Sequence, residues 1–142
     1  MSALVGPRMG INKVLSGNIS LPLAASTKAW NDGVACMDTA AYVVKPGAAG
    51  NANLVPIGEF FGSVDNSAAS TTSQVLVTLP KELSCDWYDN ASGGAAVVNL
   101  FTTAYILDDH TVTNSSSGNS AAGRVFQLDP IKGVLILKPW GA

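Results

Sequence analysis

The chain has 142 residues and a mass of 14.5 kDa, which fits one domain with its own core and hardly two. Charged residues make up only 13% of it, against about 25% in an average protein, and a net charge of −2 argues against nucleic-acid binding, which needs clustered Lys and Arg. The mean hydropathy is +0.27, but apolar runs such as 133–137 end within a few residues, so we expect neither a membrane span nor a secretory signal.

The first 16 residues differ from the rest of the chain. They carry six apolar side chains among Gly and Pro, without a helical or strand period. We therefore expect an extended N-terminal arm over 1–16, which binds another surface, and a single β-rich domain over 17–142. The arm residues expected at that interface are Leu4, Val5, Met9 and Ile11.

Short runs of β-branched and aromatic residues between turn signals predict strands along the remaining chain. In chain order they cover 17–21, 34–37, 41–44, 57–64, 74–79, 97–101, 104–107, 124–128 and 134–137. Helices of at most two turns are predicted at 23–30 and 80–87. The polar tracts 65–73 and 113–123 are predicted to be exposed loops that contribute little to stability. No repeat of 20–50 residues is visible.

The last two predicted strands are joined by the turn 129–133, Asp-Pro-Ile-Lys-Gly. Proline fixes one turn dihedral and glycine accepts positive φ, so this segment predicts an antiparallel hairpin. The fold class is therefore mainly β, with at most one or two short helices.

Candidate catalytic and metal-binding residues are few. His110 is the only histidine, and it follows Asp108 and Asp109 in a polar turn without a G-x-S-x-G motif. Consecutive residues do not converge on one metal ion without a special turn. A glycosidase pair would have to come from Glu59, Glu82 and scattered aspartates. We therefore expect no enzyme, no cofactor and no metal.

The cysteines and tryptophans favour structural roles. Cys36 and Cys85 lie far apart without metal-binding or redox spacing, so both are expected to be buried thiols. Trp30 and Trp87 are expected in the core, whereas Trp140, close to the C-terminus, is a candidate interface residue.

Several segments, read in order, resemble the head-decoration (cement) proteins of tailed bacteriophages. They are 18–26 (NISLPLAAS), 30–38 (WNDGVACMD), 42–44 (YVV), 56–60 (PIGEF), 64–67 (VDNS), 104–112 (AYILDDHTV), 122–129 (AGRVFQLD) and 132–136 (KGVLI). The resemblance covers about 17–137 and lies in the order of the segments rather than in one motif.

The resemblance implies a compact β-barrel or β-tulip domain that cements a capsid by bridging major capsid protein subunits. It also implies a homo-oligomer, a trimer or a dimer, on the outer surface of the virion capsid, assembled in the host bacterial cytoplasm. Partners are then the major capsid protein and the chain itself, with no nucleic acid and no membrane. The alternative is a phage tail-fibre or receptor module whose Ser/Asn loops and tryptophans bind glycans.

Overall fold

The computed structural model of the chain describes residues 17–79 and 84–138. Twelve strands and one 3₁₀ turn, Val97–Asn99, lie in these residues. The first seven strands are β1 (Gly17–Leu23), β2 (Thr27–Ala29), β3 (Val34–Asp38), β4 (Val43–Pro46), β5 (Leu54–Phe60), β6 (Val64–Asn66) and β7 (Ser73–Leu79). The other five are β8 (Ser84–Asn90), β9 (Thr103–Ile106), β10 (Thr111–Thr113), β11 (Ala121–Asp129) and β12 (Gly133–Lys138). Within the described residues there is no helix that is long and apolar enough to cross a membrane.

The strands close into two five-stranded barrels. Barrel one has the order β1-β4-β3-β5-β7, barrel two has the order β10-β8-β12-β11-β9, and β2 and β6 form a separate two-stranded sheet. Successive side chains of each strand point alternately into the barrel and out of it. Val75 and Val77 of β7 and Val134 and Ile136 of β12 point inward and are almost fully buried. The predicted mainly β barrel fold is confirmed, and so is the hairpin of β11 and β12.

The two barrels have the same connectivity. In each, the first strand pairs in parallel with the third. The third then pairs antiparallel with the second, the second with the fourth, the fourth with the fifth, and the fifth with the first. Barrel two therefore repeats barrel one, with a period longer than the repeats sought in the sequence.

Matched backbone details support this repeat. The amide of Ala24 donates to the carbonyl of Val44 at 3.0 Å, and the amide of Ala91 donates to the carbonyl of Val112 at the same distance. Left-handed residues also correspond, in the pairs Ser26 (φ 54) and Gly93 (φ 65), Asp32 (φ 66) and Phe101 (φ 63), and Gly50 (φ 71) and Gly118 (φ 74). The shared constraint is thus backbone geometry, which different side chains satisfy.

A glycine lies at the same irregularity in both barrels. Gly58 pairs with Ala35 and Gly123 pairs with Ala104, each beside a register shift. A Cβ at Gly58 would lie 2.2 Å from the carbonyl oxygen of Thr78, and one at Gly123 would lie 2.2 Å from that of Leu137. Only glycine allows the two backbones to approach this closely.

The barrels share hydrophobic core. Val34, Cys36 and Leu54 of barrel one belong to the cluster that includes Ile106 and Ile136 of barrel two. Burial raises the pKa of the Cys36 thiol to about 12. Cys85 is exposed, so the expectation of two buried thiols is wrong for that residue.

Both predicted helices are wrong within the described residues. Residues 23–30 form the end of β1 and then β2, and residues 84–87 belong to β8, whereas 80–83 lie outside the described residues. Leu23 and Ala29 are fully buried in barrel one, so packing outweighs the local helical pattern.

Two predicted strands are also corrected. Segment 57–64 is divided, because β5 ends at Phe60 and β6 begins at Val64. Segment 97–101 starts as the 3₁₀ turn, in which the side-chain oxygen of Asn99 accepts a hydrogen bond from the amide of Ala96 at 2.8 Å. Such a local bond competes with strand pairing.

The second polar tract is more than an exposed loop. Residues 114–118 are exposed, but Asn119 Oδ1 accepts from the amide of Gly50 at 2.6 Å. Ser120 Oγ donates to the carbonyl of Leu54 and, at 3.1 Å, lies near that of Asn51. Because these partners are in barrel one, the end of the loop contacts the other barrel, so the expectation of an exposed loop is wrong for Asn119 and Ser120. That the tract contributes little to stability stays a prediction.

The matched glycines give a first prediction. Gly58→Ala and Gly123→Ala should each lower the free energy of unfolding by about 3 kcal/mol, because a backbone oxygen must move. Gly118→Ala, at φ 74 with open space around the added Cβ, should lose only about 1 kcal/mol. Urea denaturation of the three variants measures this. Equal losses for all three would mean that the close approach is not the constraint.

Candidate functional site

A cleft of about 830 Å³ lies between the two barrels. Its walls are rich in carboxylates and aromatic rings. The lining residues are Lys28, Trp30, Asn31, Asp32, Gly33, Pro46, Gly47, Glu59, Asp86, Trp87, Tyr88, Asp108, Asp109 and His110. Both barrels contribute, so the cleft exists only because the barrels are joined.

An ion-pair network forms the base of the cleft. Lys138 Nζ contacts Glu59 Oε1 and lies 3.4 Å from Asp86 Oδ2, and the Tyr88 hydroxyl donates to Glu59 Oε1 at 3.1 Å. The Lys138 side chain is only 5% exposed. Burial raises the pKa of Glu59, which the Lys138 ammonium opposes, and burial with two nearby carboxylates raises the pKa of Tyr88. The network connects barrel one, through Glu59, to barrel two.

One rim of the cleft is the β9–β10 loop, which the sequence analysis singled out. Asp108 Oδ1 accepts from the amides of His110 and Thr111 at 3.0 and 2.8 Å, which makes an Asx turn. A turn of this kind is what consecutive residues need if their side chains are to point towards one metal ion. One oxygen or nitrogen atom from each of the side chains of Asp108, Asp109 and His110 lies within 4.8 Å of the others.

His110 is surrounded by carboxylates. Its Nδ1 lies 2.7 Å from Asp109 Oδ1, and its Nε2 lies 3.6 Å from Asp89 Oδ2. The hydrogen bond with Asp109, followed by the charges of Asp108, Asp109 and Asp89, raises the pKa of His110. The exposed loop position expected from the sequence is found, whereas the ion pairs were not foreseen.

The same loop docks on barrel one. The amide of Val34 donates to the carbonyl of Asp109 at 2.6 Å. A Cβ on Gly33 would lie 2.9 Å from Asp109 Oδ2, so glycine at this position leaves room for the loop. The turn before β3 and the β9–β10 loop therefore form one joint.

A lysine ammonium of the same chain lies over the ring of each of the two tryptophans that line the cleft. Lys28 Nζ lies 4.1 Å from the Trp30 ring centre, and Lys132 Nζ lies 5.5 Å from that of Trp87. Trp30 is 54% exposed, so the expectation that it belongs to the core is wrong, and Trp87 is half-buried.

A second feature is an exposed apolar ridge on barrel two, made of Val97, Val98, Phe101 and Phe126. Their exposures are 75%, 83%, 64% and 49%, and the rings of Phe101 and Phe126 meet edge to face at 6.1 Å. Phe101 has φ 63, a left-handed conformation that costs a bulky residue roughly 1–2 kcal/mol. The ridge is therefore exposed and, at Phe101, strained.

The interface residues predicted from the sequence, Leu4, Val5, Met9, Ile11 and Trp140, all lie outside the described residues and stay predictions. Sequence reasoning missed Asp86, Tyr88 and Lys138, because nothing in their spacing shows that β8 and β12 face Glu59. The apolar run 97–101 was noticed, but it was interpreted as a strand rather than as a surface.

Comparisons with protein-family models, with curated proteins and with solved structures found no match to this chain.

The buried network gives a second prediction. Lys138→Met should lower the free energy of unfolding by about 3 kcal/mol or more, because it leaves the half-buried Glu59 carboxylate without its ammonium partner. Adding Glu59→Gln to that variant should recover part of the loss. A double-mutant cycle from urea denaturation measures the coupling, and strictly additive losses would contradict a direct link between the barrels here.

A third prediction concerns His110. Its pKa in the folded chain should exceed the ordinary histidine value, and Asp109→Asn should lower it towards that value. The stabilisation from its ion pairs is then complete below the ordinary pKa and is lost as the pH rises through the raised one. An NMR titration of this single histidine measures its pKa in the wild type and in the Asp109→Asn variant. An unchanged pKa in the variant would show that Asp109 is not the main cause.

Proposed function

We propose that the chain is a structural virion protein that decorates a bacteriophage capsid and stabilises it by bridging subunits of the major capsid protein. The observation that carries the proposal is that large apolar side chains are exposed at several places on the surface of the two joined barrels. They include the ridge on barrel two and Ile131, which is 95% exposed. Exposed apolar surface of this kind marks interaction sites.

Ile131 is presented by the tip of the β11–β12 hairpin. Asp129 Oδ1 accepts from the amides of Ile131 and Lys132, both at 2.8 Å, and these bonds lower the pKa of Asp129. The turn therefore holds an isoleucine in solvent in a defined position. An apolar side chain fixed in this way is suited to fill a pocket on a neighbouring protein.

The low charge supports the same function. A surface with few charged groups repels its neighbours weakly, which suits a protein packed closely in an assembly. Attachment at several points raises avidity by about 10²–10⁴, so a bridging protein resists the forces that separate capsid subunits. Ile131, the arm over 1–16 and Trp140 are the proposed contacts to the capsid.

The second candidate function is a glycan-binding receptor module. The inter-barrel cleft favours it, because Trp30 and Trp87 stand beside several carboxylates, as in sugar-binding sites. Lys28 and Lys132 lie over these rings, however, and compete with a sugar for the aromatic faces. Glycan-array binding that is lost in Trp30→Ala would favour this candidate over decoration.

Binding to phage heads provides the fourth prediction. The full chain should bind undecorated heads assembled from the major capsid protein of the same genome, and should raise their resistance to heat. Ile131→Ser should weaken binding by about tenfold or more, because it removes the presented apolar group and leaves the Asp129 turn intact. Co-sedimentation with heads measures binding, and scanning calorimetry of the heads measures protection.

Phe61→Ser is the matched control, since Phe61 is an exposed apolar residue, 56% accessible, on barrel one. It should bind heads as the wild type does. No binding of the wild-type chain would overturn the decoration function. If Ile131→Ser bound heads as tightly as the wild type, the hairpin tip would not be part of the interface with the capsid.

A further inference from the structure

We propose that Lys138 and Glu59 join the two barrels covalently, through an amide bond that forms spontaneously between the lysine nitrogen and the glutamate carboxyl carbon. The bond cross-links β12 of barrel two to β5 of barrel one at the base of the cleft. The proposal goes beyond capsid binding and does not depend on it, since it concerns the folded chain alone.

An amine, two carboxyl groups and a phenol meet at this point. Lys138 Nζ contacts Glu59 Oε1 and lies 3.4 Å from Asp86 Oδ2. The Tyr88 hydroxyl donates to Glu59 Oε1 at 3.1 Å. The Lys138 side chain is 5% exposed and that of Glu59 is 22% exposed. An amine held against a carboxyl group in this way reacts as if it were very concentrated, with an effective molarity of about 10⁵–10⁸ M in well-oriented cases.

The repeat shows that the fold itself does not require these polar groups. The matched amides of Ala24 and Ala91 align β1 with β8, and the pairing of these strands then aligns β7 with β12. Each polar residue of barrel two obtains an apolar counterpart in barrel one. The matched pairs are Lys138 and Leu79, Asp86 and Ile19, and Tyr88 and Leu21. Because a buried ion pair is often no more stabilising than apolar residues of similar size, packing alone does not explain the polar set.

The charges of the network favour the reaction. The carboxylates of Glu59 and Asp86 both lie beside the ammonium of Lys138, and removing water from such ions is costly. An amide replaces the ammonium and the Glu59 carboxylate with one neutral group, so this cost is relieved. Burial also raises the pKa of Glu59, which favours the uncharged acid, the form that an amine attacks.

The reaction needs no reagent beyond the network. The ammonium of Lys138 gives one proton to Oε2 of Glu59, which leaves a neutral amine and a carboxylic acid. The amine nitrogen then bonds to Cδ of Glu59, while the Tyr88 hydroxyl stabilises the negative charge that develops on Oε1. Asp86 takes a second proton from the nitrogen and passes it to Oε2. The bond between Cδ and Oε2 breaks, and one molecule of water leaves through the cleft.

Mass spectrometry of the intact full chain tests the proposal directly. The wild type should have a mass lower than its sequence mass by one molecule of water, whereas Lys138→Arg should have its full sequence mass. Arginine keeps the positive charge, but its guanidinium stays protonated and forms no amide here. Lys45→Arg is the matched control, because Lys45 Nζ lies 2.7 Å from Asp38 Oδ2 in an ion pair whose lysine is 36% exposed. That variant should lose water as the wild type does.

Tryptic digestion of the denatured chain identifies the two ends of the bond. Trypsin cleaves after lysine and arginine unless proline follows, so the three groups fall in separate peptides. The peptides that contain Lys138, Glu59 and Asp86 are 133–142, 29–81 and 82–124. In the wild type, 133–142 should be recovered bonded to 29–81. Attachment to 82–124 would make Asp86 the acceptor and would overturn the assignment of Glu59.

The rate of the reaction tests the other two groups. The chain is made by cell-free synthesis and sampled over time, and the fraction that has lost water is measured from its mass. Asp86→Asn and Tyr88→Phe should each slow the loss of water about tenfold or more, because they remove the proton carrier and the hydroxyl donor. Circular dichroism checks that both variants are folded. An unchanged rate in either variant would overturn the role given to that group.

The outcomes separate the cross-link from the proposed function. A wild-type chain at its full sequence mass would overturn the cross-link and leave capsid decoration standing. Water loss that persists in Lys138→Arg would come from another site and would also overturn it. A chain that carries the bond between Lys138 and Glu59 but does not bind heads would support the cross-link and overturn decoration.

Discussion

The joint between the two barrels is the interaction on which the other features depend. Val34, Cys36 and Leu54 of barrel one complete the core of barrel two, so that hydrophobic cluster depends on the strands of both barrels. The contact brings Glu59 to Lys138 and creates the cleft. Charges that would be unfavourable alone are tolerated there because each carboxylate at the base of the cleft faces an ammonium or a hydroxyl donor. The same contact makes the hairpin tip, the ridge and the cleft parts of one body.

The repeat explains which differences between the barrels carry functional information. Equivalent positions share the same backbone requirement. Gly58 and Gly123 are an example, since a Cβ added at either position would clash with a backbone oxygen. They differ where the surroundings differ. Asp32 faces the polar cleft, whereas Phe101 faces solvent with an aromatic ring. A left-handed aspartate belongs to a residue type that tolerates this conformation, whereas the left-handed, exposed Phe101 is strained and packs edge to face on Phe126.

Strand content and the last hairpin were predictable because their signals are local. Alternation in β7 and β12, and the Pro and Gly of the turn between β11 and β12, act within a few residues. The helix predictions failed for the opposite reason. Leu23 and Ala29 fit a helical pattern, but their burial in barrel one decides their state. The core prediction for Trp30 and Trp87 failed because the hydrophobicity of a side chain does not show whether its position faces the inside of a barrel or the cleft outside it.

The amino-acid sequence by itself determined the mainly β class, the hairpin of β11 and β12 and the low surface charge, since each follows from composition or from neighbouring residues. Only the tertiary structure decided that there are two barrels with one connectivity, because the repeat is preserved in φ angles and strand pairing rather than in side chains. The cleft network likewise joins Glu59 to Lys138, 79 positions apart in the chain. Such contacts are set by barrel closure and docking, which bring distant segments together for reasons that no local pattern records.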